Sequence, residues 1–273
     1  MRLLLGLARA THPLPALAVT VLVSAVAASR GARGATLLLI ALSTGVGQAS
    51  VGWSNDYLDR DRDRASGRSD KPLVSGEVGE RALLIGAVIA FPLSIGLSVP
   101  LGPVEAAVML VAVASAWAYN AFLKSSPLSF LPYTVSFGLA PVYIWLATSG
   151  DLPPWWIVLA TALLGTAAHF LNVIPDLDSD RATRVRGLPH TLGLKGSLYL
   201  ACGALYLVLL LVVVGTMPLV AVQVICAGAA VALVTLVAWA GSRGMGRLAF
   251  RLTIAAAGVI VAVFLLSPSA SQL

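Results

Sequence analysis

Residues 35–63, ATLLLIALSTGVGQASVGWSNDYLDRDRD, form a long apolar run that ends in an acidic cluster. The cluster has the pattern Asn55-Asp56-x-x-Asp59-x-x-x-Asp63. Because helical residues four positions apart lie on one face, Asn55, Asp59 and Asp63 are predicted to form one polar stripe, with Asp56 beside it. Carboxylates next to hydrocarbon are costly, so the stripe indicates a functional site.

A second acidic cluster, Asp176-x-x-x-Asp180, ends another apolar run about 120 residues later. Together with Asn172 it repeats the i, i+4, i+8 spacing. Stacked like charges destabilise a helix unless a cation lies between them, and Mg²⁺ prefers a few carboxylates plus substrate phosphates. The two stripes are therefore predicted to face each other and to hold two Mg²⁺ ions and a diphosphate. Asp61 and Asp178 point off the stripes and are expected to be solvated or ion-paired.

The composition is that of an integral membrane protein. Of the 273 residues, 58% are hydrophobic and 11% are charged, and the mean hydropathy is +0.91. A soluble domain carries about 25% charged residues. The chain is predicted to form one all-α domain, residues 1–273, a multi-pass bundle of about nine transmembrane helices. The predicted spans are 10–29, 35–55, 79–99, 103–122, 128–148, 154–174, 195–214, 217–240 and 248–267.

The basic residues predict the orientation. Sixteen of the eighteen Lys and Arg residues lie in the N-terminus and the even-to-odd loops, which leaves only Arg30 and Arg33 for the other side. The positive-inside rule makes the first side cytoplasmic, with both acidic clusters on it and the C-terminus outside, in the cell membrane. The net charge of +6 then needs no nucleic-acid partner. The excess of Arg over Lys favours a bacterial source.

Basic residues in the polar loops are candidates for binding phosphate oxygens, which Arg contacts by bidentate hydrogen bonds. Topology alone also accounts for each of them. Lys124, with Tyr119 close by, follows the fourth predicted helix and is placed to offset charge on a leaving diphosphate. The preferred phosphate contacts are Arg64, Arg68, Lys71 and Arg181.

Aromatic residues near the helix ends could line a hydrocarbon tunnel and face an allylic cation, although aromatic residues are common at membrane interfaces. The candidates are Trp53, Tyr57, Trp117, Tyr143 and Trp145. His169 is either a base or a hydrogen-bonded structural residue of an apolar helix.

The two clusters and the motifs that follow them resemble the UbiA superfamily of intramembrane prenyltransferases. The first signature matches residues 55–63, followed by Lys71-Pro-Leu-x-Ser-Gly76. The second matches Asp176-x-x-x-Asp180, followed by Gly187-Leu-Pro-His-Thr-Leu-Gly193. Members that act on aromatic acids often carry an Arg just before the second motif, where this chain has Pro175.

The resemblance implies a helical bundle whose two polar loops cap a central cavity. It implies Mg²⁺-dependent ionisation of an isoprenyl diphosphate and transfer of the isoprenyl group to a lipophilic acceptor, an aromatic compound or quinone precursor. The implied metal ligands are Asp56, Asp59, Asp63, Asp176 and Asp180, with Asn55 and Asn172 assisting at the diphosphate.

Three other functions remain open. A membrane terpene cyclase would ionise the same donor without an acceptor. A prenyl phosphate could instead attack a phosphoribosyl diphosphate. A cation transporter would use the acidic stripes for ions alone, although transporter sites lie near the membrane midplane and these clusters lie at helix ends. The acceptor, the isoprenoid chain length and the oligomeric state are left undetermined.

Overall fold

The structure, a computed structural model, describes residues 2–177, 180 and 186–267. Every regular element in these residues is a helix, as predicted. Two short 3-10 turns, Leu123–Ser125 and Ile174–Asp176, accompany the α-helices. The α-helices are α1 Arg2–Ala10, α2 Pro13–Ser29, α3 Gly34–Leu58, α4 Arg60–Ala65, α5 Glu80–Ser98, α6 Pro103–Ala121, α7 Leu131–Ser149, α8 Trp155–Val173, α9 Leu188–Gly215, α10 Ala221–Ser242 and α11 Gly246–Leu265.

Each predicted apolar span overlaps one long helix. Seven stretches of the described chain are long and apolar enough to cross a membrane, and α1 with α2 forms a further candidate that is bent by 68°. Helix α7 is not among them, since its Pro, Tyr, Ser and Thr residues make it less apolar. The multi-pass helical architecture is therefore confirmed, whereas the count of nine spans stays a prediction.

The long helices follow one another around a closed ring. Successive helices pack together from α2 to α3, on to α5, and then in order through α11, which returns to contact α2. Buried Leu, Ile, Val and Ala side chains fill the contacts between them. This arrangement encloses a space along the bundle axis, and the ends of α3 and α8 open onto it.

Both acidic stripes are interrupted, whereas we expected a simple helical repeat. Helix α3 ends at Leu58 and Asp59 is the junction residue before α4. Helix α8 gives way to a 3-10 turn at Pro175, because proline has no N–H to continue the α-helical hydrogen bonds. The chain therefore turns at each cluster, so that the carboxylates surround the opening of the cavity.

The N-terminal corner packs closely on α3 because Gly52 has no side chain. A Cβ at Gly52 would lie 2.8 Å from the Ala10 carbonyl oxygen. The residue that turns this corner is His12, which has a left-handed backbone with φ 55. The close approach brings the His12 side chain to the acidic end of α3.

Candidate active site

A large cavity of about 660 Å³ runs from the acidic clusters into the bundle. Its opening is polar, and its deeper walls are formed mainly by apolar and aromatic side chains. Both predicted stripes contribute to the opening, so the structure brings them together. The polar residues there include Asn55, Asp59, Asp63, Asn172, Asp176 and Asp180, with Arg62, Arg68, Lys71 and Lys124 among them.

The cavity follows α3 through much of the bundle. Residues that line it recur along α3 from Thr44 to Asp59, a distance of about 22 Å at 1.5 Å per residue. Near the Thr44 end Tyr143 lines the wall, with its hydroxyl 2.7 Å from Ser43 Oγ and 2.9 Å from Ser98 Oγ. The cavity thus combines a charged opening with a long, mostly apolar interior.

Arg62 bridges the two acidic clusters. It donates a hydrogen bond of 2.7 Å to Asp59 Oδ2 and lies 3.6 Å from Asp180 Oδ1. The buried Asp59 also accepts hydrogen bonds from Lys124 and from Asn55. The carboxylates of the first and second clusters are therefore close enough to share one cation.

The second cluster has partners of its own. Arg68 donates to Asp176 Oδ1 at 3.4 Å and also to Asp70 at 3.0 Å. His190 lies 3.2 Å from Asp180 Oδ2, and its Nδ1 accepts a hydrogen bond from the Gly187 N–H. The motif that follows the second cluster thereby positions a side chain on one of its carboxylates.

Asp63 is buried beside these groups, and burial raises the pKa of its carboxyl group above the usual value, because desolvation outweighs the attraction of Lys71, Arg62 and Arg68. A nearby cation stabilises the charged form of a buried carboxylate such as this one.

Asp56 is directed away from the main cavity. Its Oδ1 lies 2.6 Å from Lys71 Nζ and 3.0 Å from His12 Nε2, next to a smaller pocket under the N-terminal corner. Its Oδ2 is buried and has no hydrogen-bond partner in the described part of the chain. The structure thus separates Asp56 from the stripe residues with which the sequence grouped it.

Other predicted site residues lie elsewhere. Arg64 is half-exposed, pairs with Glu80 at 2.7 Å and does not line the cavity. Asp61 is exposed and pairs with Arg60 and Arg64, as expected for a residue off the stripe. Arg181 and Asp178 fall outside the described residues.

Two of the five aromatic residues that were predicted to line the tunnel do line the cavity, and three do not. Tyr143 and Trp145 line the cavity. Trp53 instead donates to the Leu7 carbonyl, Trp117 donates to Ser50, and Tyr57 lies under the Arg60 guanidinium.

An aromatic cluster lines the cavity just below the charged opening. The rings of Tyr119, Tyr133 and His169 contact one another with centroids 5.2 to 5.6 Å apart. Asn172 donates to the Tyr133 hydroxyl at 3.4 Å. His169 Nε2 is 3.1 Å from Ser129 Oγ, which fits the structural reading of this residue. Its Nδ1 is buried without a partner in the described residues.

Sequence reasoning missed several residues of the site. Arg62 is one of four arginines in the first loop, and nothing in the sequence distinguishes it from the others. His190 lies inside a motif that was quoted without a role for its side chain. Asn120, which accepts from Asn55 at 3.3 Å, follows directly after the predicted Tyr119. His12 carries no local signal, since it reaches Asp56 only through tertiary packing.

The donors present fit a hard divalent cation, although they are not arranged around one. Among the described residues, no three Asp, Glu, His or Cys side chains converge on a common metal position. The carboxylates contact Arg62, Arg68, Lys71 and Lys124 instead. Four carboxylates at one opening, Asp59, Asp63, Asp176 and Asp180, form an oxygen-rich set of the kind that Mg²⁺ prefers. The individual ligands remain a prediction.

The sequence motifs place the chain in a known protein family. The model of the UbiA prenyltransferase family matches residues 17–253. The chain belongs to this family. It is accordingly a multi-pass membrane protein of the UbiA type. The sequence motifs, the helical fold of the described residues and the two facing acidic clusters are all consistent with this assignment.

Relatives within the UbiA family carry different names. A digeranylgeranylglyceryl phosphate synthase of Natronomonas pharaonis is 32% identical over 59% of this chain and 57% of its own length. A 4-hydroxybenzoate octaprenyltransferase of Sodalis glossinidius is 31% identical over 59% of this chain and 57% of its own. The matches thus span just over half of these relatives.

Solved UbiA structures share the fold over nearly the whole chain. An apo UbiA homolog from Aeropyrum pernix K1 superposes with a TM-score of 0.75, at 22% identity, over 90% of this chain and 96% of that one. A UbiA homolog from Archaeoglobus fulgidus bound to GPP and Mg²⁺ gives a TM-score of 0.70, at 18% identity, over 94% and 99%.

Proposed function

We propose that this UbiA protein transfers an isoprenyl group from an isoprenyl diphosphate to a lipophilic acceptor within the membrane. The observation that carries the proposal is the cavity itself, with carboxylates and four basic residues at one end and a long, mostly apolar interior behind them. An isoprenyl diphosphate has the same division between a charged head and a hydrocarbon tail. The related protein from A. fulgidus, whose structure holds GPP and Mg²⁺, supports this donor and this cofactor.

In this proposal the basic residues bind the diphosphate. Arg62, Arg68, Lys71 and Lys124 donate hydrogen bonds to its oxygens and exchange carboxylate partners for phosphate. Mg²⁺, with two ions expected, would be held by the acidic residues and would supply charge neutralisation at the leaving diphosphate. The assigned ligands are Asp59, Asp63, Asp176 and Asp180, which line the opening, and Asp56, which is assigned from the sequence motif alone.

The bond between C1 of the isoprenyl group and the diphosphate oxygen breaks, and both electrons leave with the diphosphate. Lys124 is placed to stabilise the charge that develops there. The aromatic faces of Tyr119 and Tyr133 lie just below and stabilise the allylic cation. The acceptor attacks C1 and releases a proton. The largely apolar walls limit quenching of the cation by water.

The depth of the cavity supports a donor of moderate length. An extended peptide residue, three backbone bonds long, spans about 3.6 Å. An isoprenyl repeat, with four bonds of similar length, therefore spans about 4.8 Å. The depth of about 22 Å along α3 then accommodates a tail of about four isoprenyl repeats. We therefore propose a donor close to geranylgeranyl diphosphate in length.

The test is a reconstitution of the purified protein in nanodiscs with Mg²⁺ and isoprenyl diphosphates of two to five repeats. Diphosphate release and organic products are measured with and without aromatic, quinone-precursor and lipid-alcohol acceptors. Release that depends on an acceptor and yields a coupled product supports the transferase. Release without an acceptor, with a cyclic product, would identify the cyclase. No release from any donor would reject the proposal.

A further inference from the structure

Two arginines of α11 line the cavity apart from the acidic clusters. Arg247 and Arg251 are four positions apart, both line the cavity wall, and neither is covered by neighbouring side chains. Arg251 lies about 7.5 Å beyond the start of α11 at Gly246, inside a stretch that is apolar enough to span the membrane. Charged residues within such stretches are rare and mark substrate pathways.

Within residues 2–177, 180 and 186–267, neither of these arginines has a carboxylate partner. Neither makes a hydrogen bond or ion pair with any residue that the structure describes. Helix α11 packs against α2, α8, α9 and α10, and none of these five helices contains an Asp or Glu residue. The 3-10 turn Ile174–Asp176 also contacts α11 and carries Asp176, but that carboxylate lies 3.4 Å from Arg68. The other basic residues that line the cavity each contact a carboxylate: Arg62, Arg68, Lys71 and Lys124.

The α11 arginines nevertheless lie close to the reaction site. A Cβ at Gly246 would be 3.1 Å from the Pro175 nitrogen, so the first turn of α11 packs directly on the segment that leads into Asp176. Phe250 lies between the two arginines in sequence and lines the same cavity. An anion held by Arg247 and Arg251 would therefore share the cavity with a donor diphosphate bound at the acidic clusters.

We infer that Arg247 and Arg251 bind the anionic headgroup, a phosphate or carboxylate, of the acceptor. This inference rests on the proposed prenyl transfer and specifies its acceptor class: an amphiphile that carries a nucleophile next to an acidic group. Arg suits this task because its planar guanidinium donates two hydrogen bonds to one phosphate or carboxylate. The donor diphosphate and the acceptor headgroup thus use separate basic residues.

The experiment compares acceptors that differ only in the anion, namely 4-hydroxybenzoate with its methyl ester, and a monoalkylglycerol phosphate with the monoalkylglycerol. Product formation is measured in nanodiscs made of neutral phospholipid for the wild type, Arg247→Gln and Arg251→Gln. In each variant the ratio of KM for the anionic acceptor to KM for its neutral counterpart should rise about tenfold or more, the loss of a charge-assisted hydrogen bond. Arg247→Lys and Arg251→Lys, which keep the charge, should recover part of the loss.

Arg243→Gln is the matched control, because Arg243 directly follows α10, lies over the Trp239 ring and does not line the cavity. It should leave every KM unchanged. If the two arginines serve only to anchor the helix end at the membrane surface, their substitution would lower the amount of inserted protein and leave the KM ratio constant. This result would overturn the inference. A wild type that forms coupled product without any preference for anionic acceptors would overturn it as well. A wild type with no diphosphate release would reject the proposed function, and the inference with it.

Discussion

Arg62 occupies the position between Asp59 and Asp180 where a shared cation is needed. Carboxylates that approach one another repel, and a partly buried cation relieves that repulsion more effectively than an exposed one. The side chain is part of the first loop, so a residue of one cluster neutralises both. We interpret this contact as the resting arrangement, in which arginine contacts the carboxylates that are assigned to Mg²⁺.

The carboxylate roles can be tested by single substitutions. Asp59→Asn and Asp176→Asn should each lower the rate of diphosphate release about a hundredfold or more, because each removes a charge that acts on the developing transition state. Release is measured at saturating Mg²⁺. Asp61→Asn is the control, since Asp61 is exposed outside the cavity and should retain full activity. Near-normal turnover in both cavity variants would refute the assignment.

Removal of Arg62 should make the protein more dependent on Mg²⁺. In Arg62→Gln the free energy of unfolding without Mg²⁺ should fall by about 1–3 kcal/mol, because the partly buried Asp59 and Asp180 lose a charged hydrogen-bond donor. Saturating Mg²⁺ should then raise the melting temperature of the variant by more than it raises that of the wild type. Thermal unfolding in detergent with Mg²⁺ or a chelator measures this difference. Arg64→Gln, whose partner Glu80 lies outside the cavity, should show the wild-type response.

At the scale of elements, α3 and α7 together set the length of the cavity. Lining residues recur along both helices, and those of α7 extend from Pro132 near its beginning to Trp145 near its end. A large side chain halfway along α7 should therefore block the lower half of the tunnel without touching the acidic clusters.

Ala140→Phe should accordingly shift the preferred donor towards two isoprenyl repeats. Ala140 lines the cavity about nine residues into α7, about 13 Å at 1.5 Å per residue. The measurement is kcat/KM for donors of two to five repeats. Ala229→Phe makes the same change at an exposed site of α10 outside the cavity and should leave the preference unchanged. An unchanged profile in Ala140→Phe would show that the tail takes another path.

For the whole molecule, the basic loops predict that the first acidic loop and the segment around Asp151 lie on opposite sides of the membrane. Ser66→Cys and Asp151→Cys test this in sealed vesicles of known orientation. A membrane-impermeant maleimide added outside should label only one of the two, and it should reach the other only after the vesicles are opened. Cys202 and Cys226 lie inside α9 and α10, and the parent protein provides the background. Labelling of both from one side would contradict the topology.

The parts of the site that could be predicted are those encoded locally. The spacing of Asn55, Asp59 and Asp63 predicts that they lie close together, and they do, although the helix breaks at Asp59. A long apolar run predicts a helix whatever surrounds it. The parts that could not be predicted depend on distant contacts. His12 reaches Asp56 only because Gly52 admits the N-terminal corner, and Arg64 turns to Glu80 sixteen residues away. The basic pair on α11 lies more than sixty residues from the second motif in sequence, yet packs beside it.

The far end of the cavity has an evolutionary consequence. There, Tyr143 is held by the hydroxyl groups of Ser43 and Ser98, and Ser43 lies twelve residues before Asn55 on α3, about 18 Å along the helix axis. Exchange of these residues for smaller or larger ones would lengthen or shorten the tunnel while the acidic motifs stayed intact. Proteins that inherit this bundle can therefore change the length of their products by substitutions at the far end of the cavity. Product length and reaction type then evolve as independent traits.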